Sequence, residues 1–80
     1  MKVTDHFKNR LFERFGYELE ELVPQIINPI QVSKNSENLK IFPQFKKMFK
    51  KYPRTIVIIL ERLNMCLITS DKSLITCYSL

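Results

Sequence analysis

The chain predicts an α+β fold: two N-terminal helices and a short third helix packed on a twisted antiparallel β-sheet that ends in a three-stranded meander. Apolar residues recur at helical spacing in the first third of the chain, as Phe7-Leu11-Phe15 and Leu19-Leu22-Val23-Ile26-Ile27. β-branched residues dominate from Thr55 onward. Short polar separators cut that last stretch into pieces of strand length.

The first helix is expected to start after Thr4, whose hydroxyl can cap the free amides while Asp5 suits the positive end of the dipole. Gly16, the only glycine, supplies the left-handed residue that ends it. Glu18, Glu20 and Glu21 fall in the first turn of the second helical pattern. Pro24 interrupts that pattern, so a kink or late start is expected, and Asn28-Pro29 closes it.

Ile30 to Ser33 and Leu39 to Phe42 read as a small hairpin around the polar cluster Lys34-Asn35-Ser36-Glu37-Asn38. Pro43 suits the first position of a short helix. Its Phe45, Met48, Phe49 and Tyr52 share one face, a core stripe before a stacking platform, and Lys46, Lys47, Lys50 and Lys51 share the other. Three strands follow: Thr55 to Arg62, Met65 to Ser70 and Ser73 to Leu80. Two-residue loops at Leu63-Asn64 and Asp71-Lys72 join them.

Without bulges, the register puts Ile56, Ile58, Leu60, Met65, Leu67, Thr69, Leu74, Thr76 and Tyr78 on the more apolar face, which is expected to carry the helices. It sets Cys66 opposite Cys77 and Tyr78 opposite Met65. A bulge of one residue would exchange the faces. The cysteines read as buried thiols, with a strained cross-strand disulfide as the alternative.

Eighty residues, 45% apolar, make one domain over residues 1–80. Ile56-Val57-Ile58-Ile59-Leu60 is too short to span a bilayer, so no membrane partner is expected. The N-terminus lacks a signal-peptide pattern, and a cytoplasmic location is expected. No cofactor or metal site is expected: there is no glycine-rich phosphate loop, no CxxC pair and no second histidine.

Charge is segregated within the net +5. Residues 34–54 hold Lys34, Lys40, Lys46, Lys47, Lys50, Lys51 and Arg54 against Glu37 alone. Such an excess favours an anionic partner, and nucleic acid is the commonest. Lys46, Lys47, Lys50, Lys51 and Arg54 are the candidate nucleic-acid-binding residues.

His6, Arg10 and Arg14 recur four apart on the first helix. An imidazole titrating near neutral pH beside two fixed cations suits metal-free work on RNA, where the 2′-hydroxyl is the nucleophile. The arginines would bind phosphate oxygens. A solvated helix face with Arg10 and Arg14 paired to nearby acids is the structural alternative.

The stretch His6-x3-Arg10-x2-Glu13-Arg14-Phe15-Gly16 and the strand Ser73-Leu74-Ile75-Thr76-Cys77-Tyr78 resemble those of small bacterial and phage proteins of the broad RelE/barnase-like class of ribonuclease and toxin domains. The resemblance implies helices on one face of a twisted antiparallel sheet, and RNA as substrate or a non-catalytic descendant of that scaffold. It maps His6 and Arg10 to the helix positions and Thr76 and Tyr78 to the last strand. The candidate catalytic set is thus His6, Arg10, Arg14, Thr76 and Tyr78. The expected function is a small basic RNA-acting domain of the toxin-type, metal-independent endoribonuclease kind. The alternative is a non-catalytic phage or bacterial protein that binds and inhibits a host protein. Expected partners are RNA, or a host or antitoxin protein, with a homodimer through a sheet edge as a further possibility.

Overall fold

Thr4 and Gly16 bound the first helix as their chemistry predicts. In the computed structural model, which describes residues 1–80, Thr4 Oγ1 accepts the Phe7 amide at 3.1 Å, and Gly16 closes the helix with φ +72°. The elements in chain order are β1 (Lys2–Val3), α1 (Asp5–Phe15), α2 (Leu19–Leu22), β2 (Ile30–Val32), α3 (Asn38–Ile41), α4 (Lys46–Lys51), β3 (Ile56–Leu60), β4 (Met65–Ser70) and β5 (Ser73–Ser79). Short 3₁₀ turns lie at Val23–Gln25, Pro43–Phe45 and Glu61–Leu63.

The class is α+β, built on a five-stranded sheet of order β1-β5-β4-β3-β2. The expected all-antiparallel sheet is in fact mixed, because β1 pairs parallel to β5 through Lys2↔Ser73 and Val3↔Leu74. Two residues carry too little pattern to announce a strand.

The helices also divide differently. α1 and α2 cover one sheet face, where Phe7, Leu11 and Leu22 pack with Leu60, Met65, Leu67 and Cys77. The chain from β2 to β3 crosses the opposite face, where Phe42 and Phe49 pack with Val32, Val57, Ile59, Cys66 and Ile68. Alternate residues of β3 and β4 thus bury on opposite sides, and each large apolar side chain contributes about 1.5–3 kcal/mol. A sheet covered on both faces explains why Ile56 to Leu60 reads as an unbroken apolar run.

Three local expectations are corrected. Leu39 to Ile41 lies in α3 and Phe42 caps it in a non-helical conformation, so that Leu39 and Phe42 both pack into the second core. The Ser33–Ser36 turn holds the approach, with Ser36 Oγ accepting the Ser33 amide at 3.0 Å, and the Asn38 side-chain amide donates to the Gln31 carbonyl at 2.8 Å. The second helical pattern stops at Leu22 and passes into the turn containing Pro24, leaving Val23 and Ile27 half-exposed. The β3–β4 connection is four residues, since Leu60 pairs with Met65. That moves the register by two residues, which preserves the faces.

The β5 register carries the larger consequence. Asp71-Lys72 forms the expected two-residue turn, both residues at positive φ, and Thr69 faces Leu74. Ile68 then faces Thr76, so Ile75 is an extra residue in a bulge. Beyond it every side chain changes face. Cys77 joins the core under α1, while Thr76 and Tyr78 turn to the α4 side. Cys66 faces Tyr78 instead of Cys77, and both cysteines are buried free thiols.

Both edges of the sheet are short or covered, as edges must be to resist pairing with other chains. β2 has three residues. β1 covers only the start of β5, after which Thr4 Oγ1 donates to the Leu74 carbonyl at 2.8 Å and Arg14 donates to the Cys77 carbonyl at 2.7 Å. No helix is long and apolar enough to cross a membrane.

Candidate functional site

His6, Arg10 and Arg14 do not converge. A residue turns 100° about the helix axis, so each step of four drifts about 40°. Of the three, Arg14 alone reaches the sheet, while Arg10 turns to Glu13 and His6 stands in solvent. His6 is exposed and makes no side-chain hydrogen bond or ion pair. Arg10 is held by Glu13, Nη1 to Oε2 2.7 Å, the pairing expected under the structural alternative. None of the three lines a surface depression.

Arg14 instead reaches round the free edge of β5. Its Nη1 donates to the Cys77 carbonyl, and its guanidinium lies over the Tyr78 ring, 4.7 Å from the centroid. The cation–π geometry is within the range in which such contacts are favourable. One predicted pair is therefore brought together, Arg14 with Tyr78, through the edge strand itself.

Tyr78 forms one wall of a groove of about 460 Å³ on the α4 side of the sheet. Phe42 and Phe49 pack over β2, β3 and the β4 residues Cys66 and Ile68, which leaves the β5 end of this face uncovered. Tyr52 and Met48 wall the groove from the α4 side, and Ile68, Ile75 and Thr76 line it from the sheet. The predicted residues Thr76 and Tyr78 thus meet here. Thr76 is 7% exposed, and its Oγ1 is the one buried side-chain polar atom without a hydrogen-bond partner. Such orphans are rare because each costs about 1–3 kcal/mol.

Tyr52 also carries a cation, Lys51 Nζ lying 5.5 Å from its ring centroid. A second depression beyond it is lined by Lys51, Pro53 and Arg54 and shares Tyr52, Thr55 and Ser70 with the groove. The aromatic groove and the Lys51 and Arg54 end of the basic segment are therefore one continuous surface. On the outer side of α4, Lys46 and Lys50 border a further depression with Lys34, and Lys47 is exposed. Arg54 meets Asp71 at 3.9 Å, but both are so exposed that the pair contributes little. No ion pair involves Lys46, Lys47, Lys50 or Lys51.

Burial pushes the Cys66 thiol up, against a backbone hydrogen bond from Tyr78 that lowers it. Burial also raises Cys77, opposed by the nearby Arg14 charge. Both are thiols at neutral pH, poor nucleophiles and weak metal ligands. No three His, Cys, Asp or Glu side chains gather where they could hold a metal ion.

Sequence reasoning places Tyr52 in a core stripe and assigns no role to Ile68 or Ile75. The adjacency Lys51-Tyr52 is visible as a basic residue beside an aromatic one. The groove is not, because it exists only after the bulge. Comparison with family models, curated proteins and solved structures gives no match to this chain.

Proposed function

We propose that this chain is a small basic domain that acts on RNA, and that binding is the part of that function its geometry supports best. The observation carrying the reading is the set of α4 lysines, none of them in an ion pair, whose last member Lys51 lines with Arg54 a depression continuous with an aromatic groove. Lysines held on a helix without carboxylate partners bind phosphates by releasing counterions, whatever the sequence. Titration of a labelled RNA with the protein over a salt series tests this. Replacing Lys46, Lys47, Lys50 and Lys51 by glutamine should weaken binding to every sequence and flatten the plot of log affinity against log salt, by about 0.7–0.9 for each phosphate no longer neutralised. An unchanged slope defeats the reading.

The cleaving form of the reading, a toxin-type endoribonuclease of the RelE/barnase-like kind, gives His6 the acid–base role and Arg10 and Arg14 the phosphate. Proton transfer by a positioned histidine contributes about 10²–10⁴-fold. RNA incubated with the chain in a chelator would then be cut by the wild type and spared by His6→Ala. Intact RNA with both proteins leaves a binding domain.

One observation favours the alternative, a non-catalytic protein that docks on a host protein. Val23 and Ile27 are 56% and 50% exposed on either side of Pro24, with Ile26 between them. Contiguous exposed apolar residues commonly mark a protein contact. That surface lies on the segment after α2, away from the α4 lysines in sequence.

A further inference from the structure

The geometry points to the groove between α4 and the end of β5 as a site for single-stranded RNA, with unpaired bases stacked on Tyr52 and Tyr78. This deepens the RNA reading and rests on it.

Three features select that occupant. The first is the kind of wall. Tyr52 and Tyr78 are 55% and 47% exposed, so each offers ring surface to a ligand, and each has a cation beside it. Aromatic rings accept any base by its π-face, and a neighbouring arginine or lysine adds attraction.

The second is charge complementarity. The groove opens into the depression lined by Lys51 and Arg54, and Arg14 stands at its other rim. A strand whose bases enter the groove finds cations for its phosphates on both sides. The carboxylate of Asp71 at this rim faces Arg54.

The third is Thr76. Its buried, unpartnered hydroxyl belongs to a residue lining the groove, with Ile68 opposite in the sheet register. The oxygen is closed to solvent in the unliganded chain, so a base edge that pairs with it, as donor or acceptor, must first displace the side chains above it. A duplex cannot use these features. Its bases are stacked on one another, and the A-form minor groove presents 2′-hydroxyls and base edges but no free base faces for a ring to stack on.

The test compares an unstructured, labelled single-stranded pyrimidine oligonucleotide with a blunt RNA duplex of equal length, by fluorescence anisotropy. Wild type should bind the single strand more tightly. Tyr52→Ala and Tyr78→Ala should each lose about tenfold on the single strand and leave the duplex unchanged, the effect of removing one stacking partner. Tyr52→Phe and Tyr78→Phe should keep most of the affinity. Both rings are half-exposed, and far-UV circular dichroism checks that the alanine variants fold. If alanine at either position leaves single-strand binding at the wild-type level, or weakens strand and duplex alike, the stacking site is wrong. The RNA reading then survives provided the α4 glutamine variant still loses both ligands. Failure of wild type to bind either ligand at low salt overturns the two together.

Discussion

Arg14 and Thr76 show how a residue's chemistry is reassigned by its surroundings. Arg14 looks like the third member of a cationic file, yet its guanidinium is committed to a strand carbonyl and a tyrosine ring. Thr76 reads in the sequence as a candidate site residue on the last strand, yet its hydroxyl is buried without a partner. An unsatisfied buried hydroxyl destabilises the fold, so a side chain of the same shape lacking it should be better tolerated. Thr76→Val is expected to raise stability by about 1 kcal/mol, read as a higher urea midpoint at unchanged m-value. A lower midpoint would mean that the hydroxyl already has a partner. The same variant should bind single-stranded RNA less tightly, if a base edge is what the hydroxyl serves.

Among the elements, β5 decides most. Its bulge at Ile75 sits where Thr4 donates to both the Leu74 and Ile75 carbonyls, so the cap of α1 also supports the irregular stretch of the edge strand. The turn that precedes β5 is built from Asp71 and Lys72 at φ +50° and +64°. Lysine is a costly residue there, since a left-handed backbone disfavours a side chain by about 1–2 kcal/mol, and Asn-Gly is the preferred pair. Asp71→Asn with Lys72→Gly should raise the melting temperature by several degrees, the response of a small domain to about 1 kcal/mol. The far-UV spectrum should stay unchanged. The helix α1 was fully legible in the sequence because caps and turn residues act within a few positions of themselves. The helix α3 was legible in principle. Leu39 and Phe42 stand three apart, a helical spacing, but short apolar runs beside a polar cluster read equally well as a hairpin.

At the scale of the molecule, one sheet separates two cores, and each holds a cysteine: Cys77 under α1, Cys66 under α4. Burial holds both thiols above the ordinary value. The folded chain therefore keeps its thiol protons at a pH where the unfolded chain has released them. Their contribution to stability is complete below the unfolded thiol value of about 8.5 and declines as pH rises past it. Urea midpoints measured from pH 7.5 to 10 should fall, and the Cys66→Ala, Cys77→Ala double variant should fall less steeply over the same window. Equal slopes would show that the thiols do not differ between the two states. The division into two cores also explains the site. Helices on both faces leave one part of the sheet uncovered, the β5 end on the α4 side, and the end of the crossing segment brings Lys51 and Arg54 to that opening.

By itself the sequence determined the features set over short distances: the start of α1 at Thr4 and its end at Gly16, the turn at Asp71-Lys72, the presence of a C-terminal meander, and the concentration of positive charge between residues 34 and 54. These follow from capping, backbone preference and composition. Tertiary structure alone decided which way Thr76, Cys77 and Tyr78 point, which faces the helices cover, and where Arg14 is used. Side chains alternate with a period of two, so a single extra residue at Ile75 reverses everything after it. Whether the strand takes that residue depends on how well Cys77 packs under α1 and Tyr78 packs outside it. That balance is struck across the sheet, between residues far apart in the chain.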